Sequence, residues 1–418
     1  MKINATKFYT ILFVLALFAQ LYVSSFRANI IFQIILLLIY FLFEKIKISK
    51  PFLVQIAPLF CIFFIGFIVF FFHQYNSFNL LKDIFHFIKP ILGILIGYFF
   101  YKKINNLRVF IKTIVLCGFF SAIIHFIILC TIGKAFSGSL EDVREYSRDN
   151  FLELLAFFLL IYYKKFQGQA LFYFKRNYNI IFTTILLSSI LYFSRTMIIG
   201  AIIILLSLHG YTLITKKTIK VLGLMVLSIA VLYIYLFSVK IERKNSGLDS
   251  FLFKIKNAPE ELFKTNIDRE NHKDLWDHWR GYEAKRAFAL MKQYPSSFII
   301  GTGQGSLVNL KFEAPLTGDK NKGLKYISEL HNGYVYVFYK TGFIGLIIII
   351  GFLFSLYKKI YQEQTNNQFV TVLISSIGLL YLFTTLTITG IYNARDIIIF
   401  ILGALLYFHN QVEEKITN

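Results

Sequence analysis

HNGYVYVFYKTGFIGLIIII, residues 331–350, opens on a titratable pair and ends as almost unbroken isoleucine. With the apolar residues that follow it, the run is long enough to cross a bilayer, for which about 20 residues suffice. It reads as a membrane helix that begins at an interface. Comparable runs lie at roughly 8–26, 28–43, 51–72, 84–101, 109–132, 150–163, 178–193, 196–214, 221–239, 332–357, 369–390 and 396–409. The expected fold class is therefore an all-α polytopic membrane protein with about twelve transmembrane helices. Composition agrees, since 56% of the 418 residues are hydrophobic and 16% charged. The first run lacks a small-residue cleavage pattern and reads as the first span. Cys61, Cys117 and Cys130 lie inside apolar runs and suit helix packing better than disulfides or metal binding.

The short loops set an orientation. EKIKISK (44–50), KKINNLR (102–108), KKFQGQALFYFKR (164–176), KKTIK (216–220) and KKIYQEQ (358–364) are basic and fall on one side of the span pattern. The positive-inside rule makes that side cytoplasmic, together with both termini. The formal charge of +21 is then chiefly a topology signal. Basic residues scattered over loops give no continuous stripe for nucleic acid, so no nucleic-acid partner is expected. The chain divides into spans 1–239, an extracytoplasmic loop 240–330 and spans 331–418 with a short tail. So large a loop suits an enzyme working at the outer face better than a transporter.

Candidate functional residues gather on that face. At helical spacing His331, Val335, Phe338, Gly342 and Gly345 share one side. The two glycines would let a neighbouring helix approach closely, as small residues do in membranes. Without any function, the pattern is an interfacial histidine above a packing seam. In the loop, DLWDHWRGYEAKRAFALMKQYP (274–295) reads as a helix closed by Pro295. Trp276, Trp279, Ala287, Leu290 and Met291 form its broad apolar face, which also carries Arg280 and Glu283. A buried guanidinium needs an anion. Glu283 is one available partner, and a diphosphate, onto which arginine forks, is the other. Arg195, in LYFSRTMIIG, is the strong charge between two nearly contiguous apolar runs, where ionisable groups tend to face a cavity. Arg395, in YNARDIIIF, is similar, with Asp396 beside it. Arg144 and Arg148 read as part of a solvated loop, and His272 and His278 as loop residues.

GTGQGS (301–306) lacks the Lys-Ser/Thr and the strand–helix context of a nucleotide-binding loop, and reads as a tight turn. No HExxH, Cys-x-x-Cys or Asp-rich cluster is present, so neither a metal nor another cofactor is expected.

Together these pieces resemble the O-antigen ligase and polymerase superfamily of bacterial membrane glycosyltransferases, the ligase-like branch most closely. The resemblance rests first on His331-Asn332, nine further residues, then Gly342-Phe343-Ile344-Gly345 at the end of the large loop. It rests also on Arg280 fifteen residues before Pro295, followed by the glycine-rich turn, and on Ser194-Arg195-Thr196 between two spans. It covers roughly residues 140–400. An Arg-x-x-x-Leu pattern common in ligases is met by Arg286 and Leu290, not by Arg280, so both arginines stand as candidates for the loop role.

The resemblance implies a donor glycan on undecaprenyl diphosphate at the periplasmic face of the inner membrane. It implies catalysis by His331, Arg280 and Arg195, with Asn332, Arg286 and Arg395 binding substrate. The arginines would hold the departing diphosphate. His331 would take the acceptor's proton, a task suited to a side chain that ordinarily titrates near ~6.5. The acceptor would be lipid A–core, as in a ligase of lipopolysaccharide biosynthesis, or a growing polysaccharide, as in an O-antigen or capsule polymerase. The rival from another class is a transporter of lipid-linked sugars. That class calls for ionisable residues deep within spans, and Lys340 is the one evident candidate.

Overall fold

The computed structural model describes residues 4–132, 147, 149–192, 194–241, 248–264, 267, 271–316, 323–362 and 368–417. Arg144 and Arg148 lie outside them. Every apolar run becomes a helix: α1 (Ala5–Tyr22), α2 (Phe26–Phe43), α3 (Lys50–Phe70), α4 (Ser77–Ile104), α5 (Leu107–Thr131), α6 (Phe151–Gln167), α7 (Lys175–Leu191), α8 (Arg195–Leu208) and α9 (Lys216–Ser238). Between α9 and the next membrane helix come α10 (Leu248–Lys256), α11 (Ala258–Phe263), α12 (His272–Asp277), α13 (Trp279–Met291), α14 (Ser297–Ile300), β1 (Val308–Ala314) and β2 (Leu324–Ile327). The chain then completes the bundle with α15 (Gly333–Lys358), α16 (Gln368–Ile388) and α17 (Ile398–Thr417).

The protein is a multi-pass, all-α membrane protein. Among the described residues eight helices, α1–α5, α9, α15 and α16, are long and apolar enough to cross a bilayer. That is fewer than the twelve spans read from sequence. The other four runs do form helices, but α6 and α7 have 17 residues and α8 has 14. The apolar part of α17 is also short, Ile398–Gln411. At 1.5 Å per residue a 14-residue helix reaches only about 21 Å, less than the roughly 30 Å hydrocarbon core.

The bundle is centred on α4 and α17, which pack along each other. Small residues make this possible. A side chain at Gly97 would run into the carbonyl of Phe400, and one at Gly403 into the carbonyl of Ile94, so the two backbones touch as small-residue membrane pairs do. At the opposite extreme only 6% of the apolar window of α9 is buried.

The loop carries structure of two kinds. Helix α13 packs on β1, and β1 pairs antiparallel with β2 through Val308–Ile327 and Asn309–Tyr326. This small hairpin was not legible in the sequence. The turn 301–306 is inserted into the bundle, with all six residues buried. It is a tight turn, as its composition suggested: Gly301, Gly303 and Gly305 have φ of 85°, 81° and 87°.

That turn explains the glycines of α15, and it corrects the packing seam expected there. The helical face does not continue from His331 through Gly345, because Gly342 has φ 67° and ψ −166°, a region essentially confined to glycine. The break turns the carbonyls of Tyr339 and Lys340 away from their own helix. They accept instead from the amides of Thr302 (2.7 Å) and Gly303 (3.0 Å). A Cβ at Gly342 would collide with the carbonyl of Ile299, and one at Gly301 with that of Lys340. Gly342 therefore meets a loop segment, not a neighbouring membrane helix. The nearest obstacle to a side chain at Gly345 is Thr341 of its own helix.

An ion pair seals this junction. Lys340 Nζ lies 2.5 Å from Asp83 Oδ2, both side chains have zero exposure, and Lys340 also donates to the carbonyl of Ser306 at 2.7 Å. Asp83 accepts from the amide of Gly305 at 2.6 Å and from the hydroxyl of Ser328. The pair thus ties α4, the glycine turn, the end of the hairpin and α15 together.

Candidate active site

His331 stands immediately before α15, and its neighbour fixes it there. Asn332 is the N-cap: its Oδ1 accepts from the amides of Tyr334 (3.0 Å) and Val335 (3.2 Å), satisfying two donors that a helix start leaves open. The carbonyl of His331 accepts from the amide of Thr389, 2.9 Å away, just beyond α16.

The imidazole is held by a carboxylate. Glu283 on α13, 2% exposed, has its Oε1 3.0 Å from His331 Nδ1, and its Oε2 accepts from the His331 amide at 2.9 Å. An ionised carboxylate can only accept, so Nδ1 carries the proton in this pair and Nε2 of the neutral ring is the basic nitrogen. The side chain of His331 is 51% exposed. One nitrogen is anchored and the ring remains open to solvent, the geometry of an oriented general base.

This arrangement overturns the pairing of Glu283 with Arg280. Arg280, one turn earlier on α13, donates from Nε to the carbonyl of Thr387 (3.0 Å), and its Nη1 lies 3.5 Å from Glu261 Oε2. Glu261, on α11, also receives Arg195, whose Nη2 is 3.2 Å from the same oxygen. Arg195 additionally donates to the carbonyl of Lys254. Two guanidinium groups from distant parts of the chain thus converge on one carboxylate. A connected series, Arg195–Glu261–Arg280 and then Glu283–His331 one helical turn on, joins all three residues singled out as catalytic candidates.

The remaining candidates are placed differently. Arg286 donates from Nε to the carbonyl of Asn309 at 2.7 Å, fastening α13 to the hairpin, so Arg280 is the arginine that shares a carboxylate with Arg195. Arg395 lies half-buried in the turn between α16 and α17. Asp396, its expected partner, points inward and accepts from Tyr381 at 2.5 Å and from the amide of Ile398 at 3.0 Å. The helix expected over 274–295 is two helices, broken at His278. At that break His278 is buried, 4% exposed, and its Nδ1 lies 3.0 Å from Asp274 Oδ1.

Beside His331, Glu329 bonds His86 Nε2 at 2.8 Å and Lys82 at 3.2 Å. Burial alone would raise the Glu329 carboxyl, but the bond and charge of His86 and then Lys82 outweigh it and hold it down to about 2. Among the described residues no group of three or more His, Cys, Asp or Glu side chains stands together to hold a metal ion. A cavity of about 820 Å³, lined by Lys165, Leu208, His209 and Tyr361 among others, lies at the far end of α8 from Arg195.

Sequence reasoning missed Glu261 and Asp83. Glu261 carries no local signal, since its partners come from other elements. Asp83 was accessible through Lys340, because a cation in a membrane helix requires a counter-charge.

Residues 180–350 match the family model described as O-antigen ligase (Wzy_C). No curated protein and no solved structure matches. The matched segment runs from α7 into α15 and contains Arg195, Arg280, Glu283, His331 and the Gly342–Gly345 pair. Over that segment the chain is O-antigen ligase-like, and the match supports a function of the O-antigen ligase or polymerase type.

Proposed function

We propose that the protein transfers a glycan from undecaprenyl diphosphate to an acceptor hydroxyl at the periplasmic face of the bacterial inner membrane, as a ligase attaching O-antigen to lipid A–core. The observation that carries this reading is the convergence of Arg195 and Arg280 on one anion, next to a histidine whose Nδ1 is held by a buried carboxylate. Two guanidinium groups suit a diphosphate, and an oriented imidazole suits a hydroxyl.

In the proposed step Nε2 of His331 takes the proton of the acceptor hydroxyl as its oxygen forms a bond to the anomeric carbon of the donor sugar. The bond from that carbon to the diphosphate oxygen breaks, and its electron pair leaves with undecaprenyl diphosphate. Arg195 and Arg280 stabilise the charge that develops there, so the proposal is metal-independent. The proton on His331 passes to solvent. Arg395 and Asn332 are assigned to substrate at the rim, and Arg286 to the same face through its hold on α13. In this reading Lys340 serves structure: it is fully buried against Asp83 and donates to the carbonyl of Ser306.

Deleting the gene is expected to leave lipid A–core without attached chains while long carrier-linked polymer accumulates, read on a lipopolysaccharide gel. Core capped by a single repeat would identify a polymerase instead. The arginines have a sharper test. Arg280→Lys and Arg195→Lys keep the charge but lose the fork, and each is expected to lower transfer about 10- to 100-fold, as for one lost charge-assisted contact. Normal rates in both would refute forked diphosphate recognition.

A further inference from the structure

Glu261 has no part in the transfer step, yet it occupies the point where Arg195 and Arg280 meet. We infer that Glu261 is an internal anion holding the diphosphate position in the resting protein, and that donor binding exchanges its carboxylate for diphosphate and displaces the strap 248–264. The inference rests on the proposed role of the two arginines.

Charge sets the direction of the exchange. One carboxylate carries a single negative charge against two guanidinium groups, whereas a diphosphate carries at least two and more acceptor oxygens for forked contacts. The pairs with Glu261 are partly solvated, with Arg195, Arg280 and Glu261 side chains 21%, 25% and 23% exposed. Partly exposed pairs of this kind hold weakly. Without the carboxylate the two cations would stand unpaired and repel each other, so Glu261 keeps the site assembled until an anionic ligand arrives.

The strap is built to yield. Helices α10 and α11 have 9 and 6 residues, too short for independent stability. Tyr233 of α9 donates to the carbonyl of Ile255 at 3.0 Å, and α9 is itself the least buried of the membrane helices. Besides the Tyr233 bond the strap is held by Arg195 to the carbonyl of Lys254, by Lys264–Asp274 and by Glu260–His278, and the proposed displacement breaks the Arg195 bond together with that to Glu261. At its other end the carbonyl of Lys264 lies against Gly281, where a side chain would not fit, and Lys264 Nζ lies 2.6 Å from Asp274 Oδ1, so that end is anchored beside Arg280.

The test uses full-length protein in lipid nanodiscs, with inorganic pyrophosphate as the probe. Glu261→Gln removes the charge and keeps the shape, and it is expected to bind pyrophosphate about 2- to 30-fold more tightly by titration calorimetry, the range for loss of two weak competing ion pairs. It should also lower the KM for the lipid-linked donor. Unchanged or weaker binding with a raised KM overturns the inference and makes Glu261 a structural or substrate-contacting residue. Should the variant not fold, the wild type decides. Pyrophosphate should speed amide exchange in 248–264, and unchanged exchange at saturating pyrophosphate overturns the inference. If pyrophosphate binds and Arg280→Lys weakens it while Glu261→Gln has no effect, only the strap exchange fails. If wild type does not bind pyrophosphate at all, the diphosphate reading fails with it.

Discussion

His331→Ala is expected to slow glycan transfer about 10²- to 10⁴-fold, the range for loss of a positioned general base and equivalent to about 3–5 kcal/mol of barrier. The loss should fall on kcat, because the imidazole acts on the acceptor proton and not on the diphosphate. Glu283→Gln separates chemistry from folding. The amide keeps the shape of the carboxylate but can donate to Nδ1, which would move the proton of the neutral ring to Nε2 and remove the base. About a 10- to 100-fold loss is expected, as for other groups that orient a histidine, in a protein that remains monodisperse. If Glu283→Gln retains full activity while His331→Ala does not, His331 acts without the carboxylate and the tautomer argument is wrong. Full activity in His331→Ala refutes the base assignment itself.

The second large effect concerns stability. Lys340→Met leaves the Asp83 carboxylate buried without its counter-charge, and removing one partner of such a pair costs about 3–5 kcal/mol. A thermal-unfolding midpoint in detergent should fall clearly. Adding Asp83→Asn should recover much of the loss, because its Oδ1 can accept from the amide of Gly305, its Nδ2 can donate to the hydroxyl of Ser328, and no uncompensated charge remains. A double variant as unstable as Lys340→Met would show that the lost contact to Ser306 dominates. Since the pair anchors the glycine turn against α15, donor turnover should fall together with stability in the single variant and recover with it in the double.

What the sequence allowed, and what it hid, follows from the range of each interaction. The membrane helices were legible because a lipid environment forces a long apolar run upon each span, a signal local to the segment. The four shorter runs were legible for the same reason, and each forms a helix. Arg195, Arg280 and His331 were legible as ionisable residues at the edges of apolar segments. Their partners were not: Glu261 meets Arg195 from 66 positions away and Glu283 meets His331 from 48, so only tertiary structure pairs them. Glu283 stood as one of two possible partners for Arg280 because it lies one helical turn away, and the fold gives it to His331 instead. Gly342 was misread because a spacing argument assumes that the helix continues. The three positive-φ glycines at 301–305 hold the reason it does not.

The most direct measurement is transfer by purified protein in lipid nanodiscs, supplied with undecaprenyl-diphosphate-linked glycan and lipid A–core. Glycosylated acceptor and released undecaprenyl diphosphate should appear in equal amounts, with neither formed by His331→Ala. Release of undecaprenyl diphosphate without glycosylated acceptor, or transfer that persists without His331, would contradict the single-centre account.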